Sequence, residues 1–241
     1  MTAPLLEVCV ADPESLDAAI AGGADRIELC SALELGGLTP SPGLMSLAAE
    51  APIPVYAMVR PRSGGFVFNA NDLSLMLADI DAIGAYGLSG IVIGASRPDG
   101  KLDAAMLRQL LGHAQGLGST LHRAFDLVPD FEAAIETAVD LGIERILTSG
   151  GAATALAGLP ALRRMHEAAR GRISIMPGAG LTPDNVGVVL QAVPFSEFHS
   201  SCSIPVRTLN DLAVRLGFAQ PAHKRTHSGT VAAFKRAVAS P

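Results

Sequence analysis

LLEVCVADPESLDAAIAGGADRIELC, residues 5–30, is the stretch that decides the fold. Its first six residues form an apolar run of strand length. Asp12-Pro13 then offers an N-cap carboxylate followed by proline at the first helical position, where a missing N–H does no harm. The helix so started stops at Gly22-Gly23, because glycine tolerates the backbone of a helix end. A second strand-like run, DRIELC (25–30), follows at once. Strand, helix and strand in this order form the unit of a parallel sheet.

The unit repeats outward along the chain. Further strand candidates are VYAMVR (55–60), GIVIGA (90–95), STLHRAF (119–125), RILTSG (145–150), ISIMPG (173–178) and EFHSS (197–201). Asn71-Asp72 opens a long helix whose Leu73, Met76, Leu77, Ile80 and Ile83 form an apolar stripe. Thr182-Pro183-Asp184 repeats the Asp-Pro device, and Gly87 and Gly142 mark further helix ends. Eight strands alternating with helices predict an α/β fold closed into a (β/α)8 TIM barrel. The chain has 241 residues, close to the roughly 250 of a lone barrel. No linker divides it, so residues 1–241 read as a single domain with an irregular C-terminal segment, 202–241. Within that segment QPAHKRTHSG (220–229) reads as a loop before a last helix, TVAAFKRAV (230–238).

Composition narrows the function. Apolar residues make up 49% of the chain, which suits a packed α/β protein and argues against disorder. The net charge of −5 is spread without blocks, so no basic stripe for nucleic acid is expected. No apolar run reaches the roughly 18 residues of a membrane span, and the start MTAPLLEV lacks a leader pattern. A cytoplasmic location follows as an expectation. Three cysteines, Cys9, Cys30 and Cys202, are too few for a disulfide scaffold and read as free thiols.

Strand side chains alternate in direction, so residues two apart share a face. That gives an echo in the first two strands, Glu7-Val8-Cys9 and Glu28-Leu29-Cys30. The third strand places Tyr56, Met58 and Arg60 together, the fifth Thr120 and His122, and the eighth Glu197, His199 and Ser201. Helices cover the outer face of a barrel strand, so these polar groups should point inward, and toward the mouth near the C-terminal ends. Glu28 and Arg60 could simply neutralise each other, and a lone histidine is commonly an interior hydrogen-bonding residue. Two carboxylates, a guanidinium and two imidazoles converging from five strands point instead to a pocket. Glu7, Glu28, Arg60, His122, Arg123 and His199 are therefore the candidate catalytic cluster. Arg123 has the opposite parity to His122, so its place there requires the strand to end.

Cys9 and Cys30 read either as small buried hydrophobes or as two thiolates on adjacent strands for a soft ion such as Cu(I). Thr148-Ser149-Gly150-Gly151 and Pro177-Gly178-Ala179-Gly180 are turns whose amides could cradle an anion, with Ser149, Gly150, Gly178 and Gly180 as candidates. Backbone geometry alone is the other reason for glycine in such turns. The loop Arg60-Pro61-Arg62-Ser63-Gly64-Gly65 could add anion contacts. Lys101, Lys224 and Lys235 are the only lysines, and none falls on a predicted strand. That excludes Schiff-base aldolase chemistry, which needs a strand lysine.

The segments LEVCV, GGADRIELCSALELGGLTPS, VYAMVRPRSGG, LHRAFD, RILTSG, ISIMPGAGL and EFHSS closely resemble the CutC family of copper homeostasis proteins, in family order over nearly all of residues 5–201. The resemblance implies a (β/α)8 barrel, a cytoplasmic location, self-association as a dimer or tetramer, and copper binding, with Cys9 and Cys30 matching the family's proposed Cu(I) ligands. The chain departs from the family at Ser63-Gly64-Gly65, which lacks the usual acid, and at Gly178-Ala179-Gly180, usually three glycines. Two readings follow. One is a copper-binding homeostasis protein with no organic cofactor. The other is an enzyme acting on a small anionic metabolite, such as a phosphorylated one, with Glu and His as acid–base or metal-ligand groups and arginines holding the charge.

Overall fold

A computed structural model describes residues 3–239. The eight barrel strands are β1 (Leu5–Val10), β2 (Arg26–Leu29), β3 (Val55–Met58), β4 (Gly90–Ile93), β5 (Gly118–Leu121), β6 (Arg145–Thr148), β7 (Ser174–Pro177) and β8 (Glu197–Ser200). All their ladders are parallel, in the order β7-β6-β5-β4-β3-β2-β1-β8. β7 packs beside β8 and closes the ring. The fold is the (β/α)8 barrel that the alternation predicts.

The helices are α1 (Pro13–Ala21), α2 (Pro42–Ala48), α3 (Ala70–Ala85), α4 (Ala104–His113), α5 (Phe131–Asp140), α6 (Leu159–Ala169), α7 (Val186–Ala192), α8 (Asp211–Arg215) and α9 (Ser228–Ala239). Asp12 caps α1 through the Ser15 N–H at 2.8 Å. α3 starts earlier than Asn71-Asp72 suggests, because Asn69 and Asp72 form a reciprocal capping box. α7 starts later than Thr182-Pro183 suggests. The Asn185 side chain accepts the Thr182 N–H at 2.9 Å and donates to the Gly180 carbonyl at 2.9 Å, which holds these residues as a turn.

Residues 202–241 are more regular than expected. The chain leaves β8 through Cys202, makes a two-stranded antiparallel ribbon of β9 (Ser203–Arg207) and β10 (Ala222–Thr226), and carries α8 between them. It then returns as α9, which packs between α1 and α7 as the eighth helix of the ring. The β10 strand falls inside the stretch read as a loop. Its residues are mostly exposed, so they lack the apolar alternation that betrays a half-buried strand. Phe198 of β8 joins Phe195 and Phe234 in an aromatic row, with ring centroids 6.1 and 6.4 Å apart. Phe234 docks α9 and is fully buried.

Candidate functional site at the barrel mouth

Inside the barrel the inward side chains form two charged layers. The lower layer is a saturated ion network. Arg26 donates through Nε to Glu7 at 2.5 Å and through Nη2 to Glu197. Arg145 donates to the same Glu197 oxygen at 3.1 Å and to Thr120 Oγ1 at 3.3 Å. Both guanidiniums lie over the Tyr56 ring, 5.4 and 4.9 Å from its centroid. Buried charge is tolerable only when paired, and here each charge has its partner.

The upper layer is built differently. Glu7 spends its second oxygen on His199 Nδ1, at 2.8 Å. His199 Nε2 faces Glu28, 3.8 Å away. The ladder register sets Cys9 against Glu28 and Glu7 against His199. Cys9, Glu28 and His199 therefore bring one ligand atom each to within 4.8 Å of the others. Gly178 makes room for this imidazole, since a Cβ there would lie 2.5 Å from Leu147 and 3.2 Å from His199.

Burial alone would raise the Glu7 carboxyl, but the His199 hydrogen bond and the Arg26 charge hold it down at about 2. Burial disfavours a charged His199, yet the Glu28 charge and the Cys9 and Glu7 contacts raise it well above the ordinary imidazole range. The pair therefore rests as carboxylate and imidazolium. Glu28 is pushed up, chiefly by burial, against the opposing pull of His199.

Cys30 stands apart from this cluster. It does not face Cys9 across the ladder, as adjacent-strand pairing would have it, because Cys9 registers with Glu28 two residues earlier. Its Sγ lies 3.6 Å from Glu28 Oε2, and burial plus that carboxyl drive its thiol well above the usual value. Cys202 is likewise pushed up to about 11, mainly by burial. All three cysteines are free.

Arg60 does not pair with Glu28. It donates to the backbone carbonyls of Leu35, Gly37 and Gly64 at 2.8–3.0 Å and lies over the Phe66 ring. The second arginine of that loop, Arg62, pairs with Asp72 at 2.9 Å. The fifth strand ends at Leu121. His122 caps the 3₁₀ turn Arg123–Leu127 by accepting the Ala124 N–H at Nδ1, 3.1 Å away. Burial, then Arg60, lowers its imidazole to about 3, so it is neutral. Gly94 leaves space for that ring, where a Cβ would sit 2.3 Å from it. Glu28 Oε1, Arg60 Nε and His122 Nε2 are all buried without a hydrogen-bond partner. Three orphaned polar atoms on mouth residues mark a place where a ligand would complete the bonding.

The two glycine turns part company. At the first, Ser149 and Gly151 N–H donate to Asp126 at 3.0–3.2 Å, and Gly150 N–H donates to Thr148 Oγ1 at 2.9 Å. Arg123 donates to Asp126 at 2.7 Å and to Ser149 Oγ at 2.8 Å. The anion cradled there is the protein's own Asp126 carboxylate. At the second, Gly178 N–H belongs to the β6–β7 ladder, while Ala179 and Gly180 line a 330 Å³ cavity. That cavity also takes in Cys9, His199, Arg123 and, from the ribbon, Lys224.

Parity along the strands locates Glu7, Glu28, His122 and His199. It passes over Arg26 and Arg145, which begin their strands and resemble solvated strand ends. Arg26 lies two residues before Glu28 on the same face, and that spacing is the signal for it. Asp126 and Lys224 carry no such signal, since one sits in a turn and the other on an exposed ribbon.

The CutC family model matches residues 4–204 of this chain. A CutC family protein of Sinorhizobium medicae is 58% identical over 231 residues, covering 96% of this chain and 94% of that protein. The human copper homeostasis protein cutC homolog is 46% identical over 198 residues, covering 82% of this chain and 72% of the human one. A crystal structure of a Streptococcus agalactiae CutC protein superposes with a TM-score of 0.79 at 32% identity, over 82% of this chain and 98% of that one. Family model, relatives and barrel agree, and the chain belongs to the CutC family.

Proposed function

We propose that this protein binds a single copper ion at the barrel mouth, on Cys9, His199 and Glu28, in the service of copper homeostasis. The observation that carries this reading is the meeting of the three ligand atoms within 4.8 Å, from β1, β2 and β8. Sulfur and imidazole are donors that copper accepts. Glu7 on Nδ1 orients the His199 ring and leaves Nε2 for the ion, as carboxylates behind metal-bound histidines do. Cys30 stands outside this trio: the ladder sets Cys9 against Glu28, and the three converging ligand atoms do not include the Cys30 thiol. Loading the site releases the His199 proton, so affinity should rise with pH.

The test is an anaerobic Cu(I) titration of the full chain. Cys9→Ser and His199→Gln should each weaken binding by about a hundredfold or more, whereas Cys30→Ser should stay within about threefold of wild type. Weak wild-type binding, or binding indifferent to Cys9, overturns the reading.

The enzyme reading is favoured by one further observation, the buried Glu28, Arg60 and His122 atoms that lack a hydrogen-bond partner. They would supply acid–base groups to a small anionic substrate. Among the described residues no helix is long and apolar enough to cross a membrane; the cytoplasmic location belongs to the proposal and rests on the family resemblance. Self-association as a dimer or tetramer is supported by Leu209 and Phe218 of the ribbon segment, 91% and 82% exposed. Light scattering reads the assembly size directly.

A further inference from the structure

We propose that the cavity beside Cys9 and His199 binds the phosphate group of a small phosphorylated molecule, with Lys224 as its principal cation. The site stands on the composition of the cavity wall and does not depend on copper.

Among the described residues lining the cavity there is no carboxylate. Its charged members are Arg123, Lys224 and His199. Arg123 is balanced by Asp126 at 2.7 Å, and His199 by Glu7 at 2.8 Å. Lys224 has no acidic partner within salt-bridge distance among the described residues, so it carries the uncompensated charge. Ser201, Ser203 and Thr230 share the wall, the two serine hydroxyls bonded to each other at 2.8 Å. An ammonium, a guanidinium and several hydroxyls around one cavity suit a phosphate, whose oxygens accept from many directions at once.

Backbone conformation singles out the same wall. Four described residues other than glycine have positive φ, and two of them, Ala179 at 75° and Cys202 at 45°, line this cavity. Such conformations cost on the order of 1 kcal/mol or more and gather at ligand sites. Ala179 opens the turn beside Gly180, and Cys202 redirects the chain from β8 into the ribbon that delivers Lys224. The volume of 330 Å³ exceeds what a bare phosphate needs and lies at the small end of ligand pockets. The rest of the molecule would reach toward Cys9 and His199.

Lys224 lies beyond residue 204, where the family match ends. Pro205 and Thr230 of the cavity wall lie beyond it too, so the phosphate site joins the matched barrel to the segment that follows it.

Isothermal titration of the full-length, chelator-treated, reduced protein with inorganic phosphate at low salt tests this. Wild type should bind one phosphate, and added salt should weaken it. Lys224→Gln should weaken binding about tenfold, and the exposed helix variant Arg164→Gln should leave it unchanged. Both positions are exposed, so folding should be unaffected, which the thermal midpoint checks. Binding by the chelator-treated protein needs no copper, which separates this site from copper binding. No phosphate binding by wild type, equal binding by Lys224→Gln, or acetate binding as tightly as phosphate overturns the proposal.

Discussion

The two charged layers of the barrel interior share strands, burial and residue types, yet they are bonded in opposite ways. In the lower layer Arg26, Arg145, Glu7 and Glu197 satisfy one another. In the upper layer Glu28, Arg60 and His122 each keep a buried polar atom without a partner. Glu7 belongs to both, giving one oxygen to Arg26 and the other to His199. The contrast teaches that charge inside a barrel does not by itself mark a site. A closed network is a scaffold, and an unfinished one is where a ligand fits.

The largest expected effect breaks the lower layer. Arg26→Leu leaves Glu7 and Glu197 without their shared cation in a buried setting. Removing one partner of a buried pair costs about 3–5 kcal/mol, and urea unfolding should show a loss of that size. A loss below about 1 kcal/mol would mean that the lower network is not structural, and the comparison would fail on that side.

A smaller effect comes from the neutral imidazole of the upper layer. His122 is held at about 3 in the fold against 6.5 when free. Its folded value is depressed, so the unfolded chain takes up a proton first as pH falls. Stability is full above 6.5 and is lost progressively from there down to about 3. The slope approaches about 1.4 kcal/mol per pH unit, or about 3 kcal/mol by pH 4. His122→Asn keeps an acceptor for the Ala124 N–H and removes the titration. The difference between the two proteins should shift in favour of the variant across this window. Parallel pH curves would show that His122 is not buried neutral.

Much of this was legible in the sequence, and the reason is periodicity. Strand alternation with caps and glycine stops reports the barrel because each strand is covered on its outer face, and a two-residue spacing reports which groups share the lumen. The same rule pairs Glu7 with Cys9 and Thr120 with His122. What it cannot report is register. Whether Cys9 faces Cys30 or Glu28 depends on the stagger between β1 and β2, a long-range property that no local pattern carries. Nor does a local pattern show that the amides after β6 are taken by Asp126 from another turn. Lys224 reaches the mouth only because Cys202 turns the chain and the ribbon folds back, and the exposed β10 has no apolar alternation to announce it.

The smallest effect is the sharpest test of the contrast, because a sequence-level view treats Glu7 and Glu28 as equivalents. Glu28→Gln removes a buried carboxylate, as Arg26→Leu removes a buried guanidinium, but the consequence should be unlike. Burial raises the Glu28 carboxyl in the fold. A group raised on folding contributes stability below its unfolded value of 4.5 and loses it as pH rises through the folded value. Wild type is therefore penalised above that range, and glutamine is not. The variant still offers an acceptor to the Cys30 thiol. Its stability should lie within about 1 kcal/mol of wild type at pH 5 and improve on wild type as pH rises to 8. Copper affinity should meanwhile fall by about ten- to a hundredfold. A loss of several kcal/mol would place Glu28 among the structural charges and leave the mouth with no unfinished carboxylate to offer a metal.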